Sequence, residues 1–131
     1  DAVRKAVPLA KENGAKVTTL YVKLPAPAHY WSHVIWVNLP EPSAFEEFAE
    51  KEAQEALAFV EGVCREQGVE CSKFSVTNEH VYQAIIDEAT KSSCDLIFMA
   101  SHGRRGIYAL VLGSETRKVL TRSRVPALVF R

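Results

Sequence analysis

Between Met99 and Thr116 the sequence reads Met-Ala-Ser-His-Gly-Arg-Arg-Gly-Ile-Tyr-Ala-Leu-Val-Leu-Gly-Ser-Glu-Thr. Its glycines, hydroxyls and arginines have the chemistry of an anion site. Gly103 and Gly113 let the main chain come close to a ligand. Unpaired N–H groups in the first turn of a helix point at a bound phosphate, and the helix dipole favours its charge. Ser114 is placed to cap such a turn or to offer its hydroxyl to a phosphate oxygen. Arg104 and Arg105 put two positive charges beside it. No paired carboxylate or nucleophile stands near His102 in sequence, so it reads as a turn residue. Together these residues read as a nucleotide phosphate loop.

Two elements must position them. The apolar run Leu96–Ala100 predicts a short strand buried on both faces. Glu115–Thr121 predicts a helix opened by Gly113-Ser114. A strand, a glycine-punctuated loop and a helix would then present Gly103, Gly113 and Ser114 to one ligand.

The rest of the chain supplies alternating elements. Val3, Ala6, Val7 and Ala10 recur at helical spacing, with Asn13-Gly14 as the stop and Pro8 as a bend. Ala15–Val22 is rich in β-branched residues and predicts a strand. From Lys23 to Pro42 periodicity vanishes among four prolines, in a loop carrying His29, Tyr30, Trp31, His33 and Trp36. That loop reads either as a lid or partner surface anchored by Trp31 and Trp36, or as a loop folded over a sheet edge. His29 and His33 lack a third ligand and carry no metal site. Ser43-Ala-Phe-Glu46 is a capping box that starts a long helix ending at Gly68. Its glutamates, from Glu46 to Glu55, read as a solvated face. Glu70–Thr77 predicts a strand, His80–Ser92 a helix and Val125–Phe130 a last strand. Strands alternating with helices predict βαβ crossovers and an open parallel sheet with helices on both faces.

Composition sets the outer limits. The 131 residues suit one domain with a real core. A formal net charge of zero argues against a nucleic-acid or anionic-membrane binder, since both need a basic excess. Nothing approaches the roughly 18 consecutive apolar residues of a membrane span, and no leader pattern is present. Cys64, Cys71 and Cys94 form no C-x-x-C pair and read as reduced structural thiols in a cytoplasm.

The phosphate-loop stretch also resembles the universal stress proteins, whose nucleotide-binding members carry G-x2-G-x9-G-(S/T). Here Ala100-Ser-His-Gly103 is followed by nine residues, Arg104 to Leu112, and then Gly113-Ser114. Ala100 replaces the family's first glycine and adds only a methyl. Lys118-Val-Leu, Ser123 and Val125-Pro-Ala-Leu-Val129 match the family's last helix and strand. Ala2-Val-Arg-Lys-Ala-Val and Gly14-Ala-Lys-Val-Thr match its beginning.

The resemblance implies a five-stranded α/β sheet of order 3-2-1-4-5, akin to other nucleotide-binding Rossmann-like domains. The family's first strand, with its Asp-containing turn, is missing from the sequence. Residues 1–131 are therefore expected to form a single domain lacking that strand, and a chain truncated at its N-terminus is the favoured account. Direct pairing of Ala15–Val22 with Asp95–Ala100 would overturn this strand order. By the same resemblance Val22 meets the adenine through its backbone, and Met99 and Ala100 stand beside the ribose. Ser101, His102, Gly103 and Arg104 line the phosphates, while Gly113 to Thr116 give the helix N-terminus. The implied ligand is ATP, ADP or AMP, with Mg2+. The implied protein is a cytoplasmic regulator that dimerises through Val125–Phe130 and signals to a protein partner not identifiable from sequence. A Walker lysine, a recognisable base and a metal triad are absent, so no enzyme is expected. The alternatives are a slow ATPase and an interaction module that binds no nucleotide.

Overall fold

The computed structural model describes residues 2–26, 42–101 and 112–131. The aromatic cluster from His29 to Trp36, and His102, Gly103, Arg104 and Arg105, lie outside the described residues. The elements in chain order are α1 (Ala2–Glu12), β1 (Val17–Lys23), α2 (Pro42–Gln67), β2 (Cys71–Thr77), α3 (Val81–Lys91), β3 (Ile97–Ala100), α4 (Ser114–Arg122) and β4 (Ala127–Phe130).

Three helices stop by the same hydrogen-bonded turn. After α1, Ala15 N–H donates to Ala10 C=O and Gly14 N–H to Lys11 C=O. After α2, Val69 N–H donates to Cys64 C=O and Gly68 N–H to Arg65 C=O. Both glycines adopt the left-handed φ that this closure requires, 62° and 71°. The α3 stop repeats the pattern with Ser93 at φ 53°, through Cys94 N–H to Ala89 C=O. The α2 N-terminus departs from the expected capping box. The helix already includes Pro42, so Ser43 stands inside the first turn rather than capping it. Proline is tolerated there because a first-turn N–H needs no intrahelical acceptor.

The strands form two parallel pairs, which makes this an α/β fold. β1 pairs with β2 from Val17↔Cys71 to Lys23↔Thr77, and β3 pairs with β4 from Ile97↔Ala127 to Ala100↔Phe130. Each pair is one βαβ unit, β1–α2–β2 and β3–α4–β4. Among the described residues β1 is not hydrogen-bonded to β3. Direct pairing would have excluded the 3-2-1-4-5 order. The observed pairs are the neighbours that this order contains on either side of its first strand.

Each unit has its own core. Val7, Val63, Cys64 and Val69 form one cluster, with Val3, Ala10, Val17, Val60 and Cys71 packed against it. Ala89, Ile97 and Val119 form the other, with Ile85, Met99 and Val125 among its neighbours. α1 packs on both α2 and β3, and α3 on both β1 and α4, so helices tie the units together. One expectation fails here. β3 is not buried on both faces, since Ile97 is buried but Ala100 is exposed and Leu96 is 41% exposed. The exposed positions are the two ends of the run, while Ile97 between them packs with Ala89 and Val119.

Candidate functional site

In parallel βαβ units, ligands bind beyond the carboxyl ends of the strands. Here those ends can be located relative to each other by one hydrogen bond. The Glu115 carboxylate, in the first turn of α4, accepts the Tyr82 N–H at 2.8 Å, in the first turn of α3. α3 follows the carboxyl end of β2, and α4 follows that of β3. The strand ends of both units therefore face the same end of the molecule.

The base of the glycine stretch is built from three contacts. Ser101 N–H donates to Phe130 C=O at 2.8 Å, extending the β3–β4 ladder by one residue. Gly113 N–H donates to Ser101 C=O at 2.9 Å, which brings the two ends of the stretch together. The Thr116 hydroxyl donates to Ala100 C=O at 3.1 Å. Ser101 and Thr116 are both buried. Ala100, Ser101, Gly113 and Thr116 are thus brought together, with Met99 one residue back on β3 and half-buried. Val22 lies at the carboxyl end of β1, half-buried and in register with Val76. His102, Gly103 and Arg104 fall outside the described residues.

The roles within α4 differ from a simple reading of its first turn. Gly113 is the N-cap, with φ −54° and ψ 145°, and no side chain caps the helix. Ser114 is the first helical residue and is exposed rather than capping. The main-chain N–H groups of that turn are therefore left without a side-chain acceptor at the cap, which is the arrangement an anion satisfies. Thr116 contributes no free hydroxyl proton, because Ala100 C=O takes it.

Both Glu115 carboxylate oxygens are engaged within the protein. One accepts the Tyr82 N–H, and the other accepts Lys118 Nζ at 2.7 Å. The hydrogen bond from Lys118 holds the Glu115 carboxyl below its ordinary value against the opposing effect of burial. The Tyr82 N–H and the charges of Lys118 and His80 add to it. A carboxylate at this helix end would repel a phosphate; here it is neutralised and aimed at a neighbouring helix. Tyr82 completes the cluster. Arg122 donates to its hydroxyl at 2.7 Å, and Arg122 and Lys118 lie 4.8 and 5.2 Å from its ring centre. Sequence reasoning missed Tyr82 and Arg122. Their only local signal was the Glu115/Lys118 spacing of three.

Comparison with known proteins gives a consistent picture. The universal stress protein family model matches residues 1–131. Universal stress protein MJ0531 of Methanocaldococcus jannaschii is 30% identical over 134 aligned residues, covering 100% of this chain and 74% of that protein. Among solved structures, the Archaeoglobus fulgidus universal stress protein in complex with dAMP superposes with a TM-score of 0.68 at 18% identity, covering 99% of this chain and 85% of its own. A universal stress protein in complex with cAMP gives 0.67 at 17% identity, covering 99% and 86%. At those identities the solved structures establish likeness of fold.

Proposed function

Because this chain belongs to the universal stress protein family, we propose that it binds an adenine nucleotide, ATP, ADP or AMP, and acts as a regulator that reports nucleotide state. The observation that carries this reading is the closed base of the glycine stretch. Gly113 N–H on Ser101 C=O sets an α4 N-terminus with no side-chain cap at the carboxyl ends of the strands. The dAMP and cAMP held by two proteins of like fold support the choice of an adenine nucleotide.

In this proposal the main-chain N–H groups of Ser114, Glu115 and Thr116 take the phosphate. By the family resemblance Ser101 would line it, as would His102, Gly103 and Arg104, which lie outside the described residues. Met99 and Ala100 flank the ribose and Val22 meets the adenine. The bound phosphates would bring Mg2+ with them and set the charge that these groups answer. The two βαβ units are proposed as flanks of one sheet of order 3-2-1-4-5 in a single domain. A strand between β1 and β3 would satisfy edge groups that are costly to leave unpaired. The protein is further proposed to work in the cytoplasm as a homodimer through β4, where Leu128 is 39% exposed. Val129→Asp should then halve the mass seen by sedimentation; an unchanged mass would reject this interface.

The deciding experiment is a thermal shift with ATP, ADP and AMP, each with magnesium. At about 100 Kd a ligand adds roughly 2.7 kcal/mol, a rise on the order of 10 °C for a domain of this size. No rise with any of the three at millimolar concentration rejects the nucleotide reading. It would favour the second reading, an interaction module that binds no nucleotide, to which Ala100 in place of the family's glycine already points. Turnover of ATP at ~1 to 1000 per second would instead show an enzyme.

A further inference from the structure

We propose that Cys64 and Cys71 are a thiol pair that closes into an intramolecular disulfide when a hydroperoxide reaches Cys71. The turn at Gly68 reverses the chain, so β2 runs back alongside α2. Register between the two is fixed by the Lys73 ammonium on the Glu61 carboxylate at 2.6 Å. Three residues along a helix advance about 4.5 Å, and two residues along a strand about 6.6 Å. Moving from Glu61 to Cys64 and from Lys73 back to Cys71 therefore keeps the same two faces opposed. Cys71 packs on the cluster that contains Cys64.

The two sulfurs differ in access. Cys64 is wholly enclosed, whereas Cys71 is only partly buried at the start of its strand. Burial, with Cys71 beside it, pushes the Cys64 thiol up to about 11, so it stays protonated at neutral pH. Cys71 is the sulfur that meets an oxidant. Cys94 packs in the other core cluster, apart from both.

The chemistry balances in two steps. The Cys71 sulfur attacks one peroxide oxygen, the O–O bond breaks, and Cys71 sulfenic acid forms with release of water. The Cys64 sulfur then attacks the Cys71 sulfur as its thiol proton passes to the departing hydroxyl, which leaves as a second water and gives the S–S bond. Two thiols are oxidised by two electrons and one hydrogen peroxide is reduced to two waters. This inference is independent of the nucleotide reading.

The test treats the reduced, full chain with equimolar hydrogen peroxide. Denatured thiol titration should fall from the three free cysteines to one, with a mass loss of two hydrogens. Trypsin cuts at Arg65, between the two cysteines, so a non-reduced digest should show their peptides joined and dithiothreitol should separate them. Cys64→Ala should stop at a Cys71 sulfenic acid that dimedone captures, and Cys71→Ser should keep both remaining thiols. The proposal fails if the native chain keeps all three thiols, if Cys71 proceeds to sulfinic acid uncoupled, or if the cross-link involves Cys94.

Discussion

The two βαβ units share a topology and are held together by different means. In β1–α2–β2 the strands are seven residues each and the crossover helix has 26. Ala53 and Cys64 are fully enclosed on that helix, and Val7 of α1 is 1% exposed against it. In β3–α4–β4 the strands have four residues and the helix nine. Val119 is its one fully enclosed α4 side chain, and polar bonds carry much of the rest. Gly113 to Ser101, Thr116 to Ala100 and Glu115 to Tyr82 all converge at the N-terminal turn of α4. Apolar burial is indifferent to what binds. Directed hydrogen bonds fix the aim of main-chain groups. The first unit therefore carries stability, and the second places a turn of N–H groups where a ligand can use them.

The strongest way to break this comparison is a charge in the first core. Val7→Asp should cost about 4 kcal/mol or more, because an enclosed carboxylate has no partner among apolar neighbours. That consumes much of the stability of an ordinary domain, roughly 5–15 kcal/mol. Urea unfolding followed by circular dichroism should show the whole transition lost or moved far down, since α1 also packs on β3. A second, unmoved transition would show the units to be independent, and the division of labour would be between two domains.

A substitution at the α4 N-cap separates the two properties. The Gly113 backbone, φ −54° and ψ 145°, is open to any residue, and aspartate is a favoured N-cap. Gly113→Asp should leave the unliganded melting temperature equal or slightly raised, because its carboxylate accepts the free N–H groups. For the same reason it should abolish the nucleotide-dependent gain of about 2.7 kcal/mol expected at 100 Kd, by occupying and repelling the phosphate position. Thermal shifts with and without ATP check both signs. An unchanged nucleotide response would remove α4 from the site.

How much of this was written in the sequence differs between the units for a physical reason. Periodicity and glycine stops placed every described helix and strand to within a few residues, since Val3/Val7/Ala10 spacing and Gly14 or Gly68 turns are local signals. β3 was expected to be buried on both faces and is not, because burial of a strand's faces is set by the elements packed over them, which an apolar run does not reveal. The loop chemistry was legible as a spacing, but the use of each side chain was not. Thr116 answers a carbonyl 16 residues away, and Glu115 an N–H 33 residues away. Neither leaves a trace in local pattern. Val22 illustrates the opposite case, where the strand is found and the assigned role rests on resemblance alone.

The smallest expected effect tests the polar side of the comparison most directly. Glu115→Gln keeps an oxygen for the Tyr82 N–H but removes the charge that Lys118 answers at 2.7 Å. The side chains are 35% and 40% exposed, so solvent screening limits the loss to about 0.5–1 kcal/mol. Its pH dependence has a definite sign. Glu115 is held below its ordinary value of 4.5, first by the Lys118 hydrogen bond. Its contribution is therefore complete above that value and fades as pH falls through the lower, folded-state one. Native chain and variant should differ in melting temperature at pH 7, and the gap should close as the pH falls through the lowered folded-state value of Glu115. A gap that persists in acid would mean that Glu115 works by packing rather than by charge. The two helix N-termini would then be joined by shape, and the second unit would resemble the first after all.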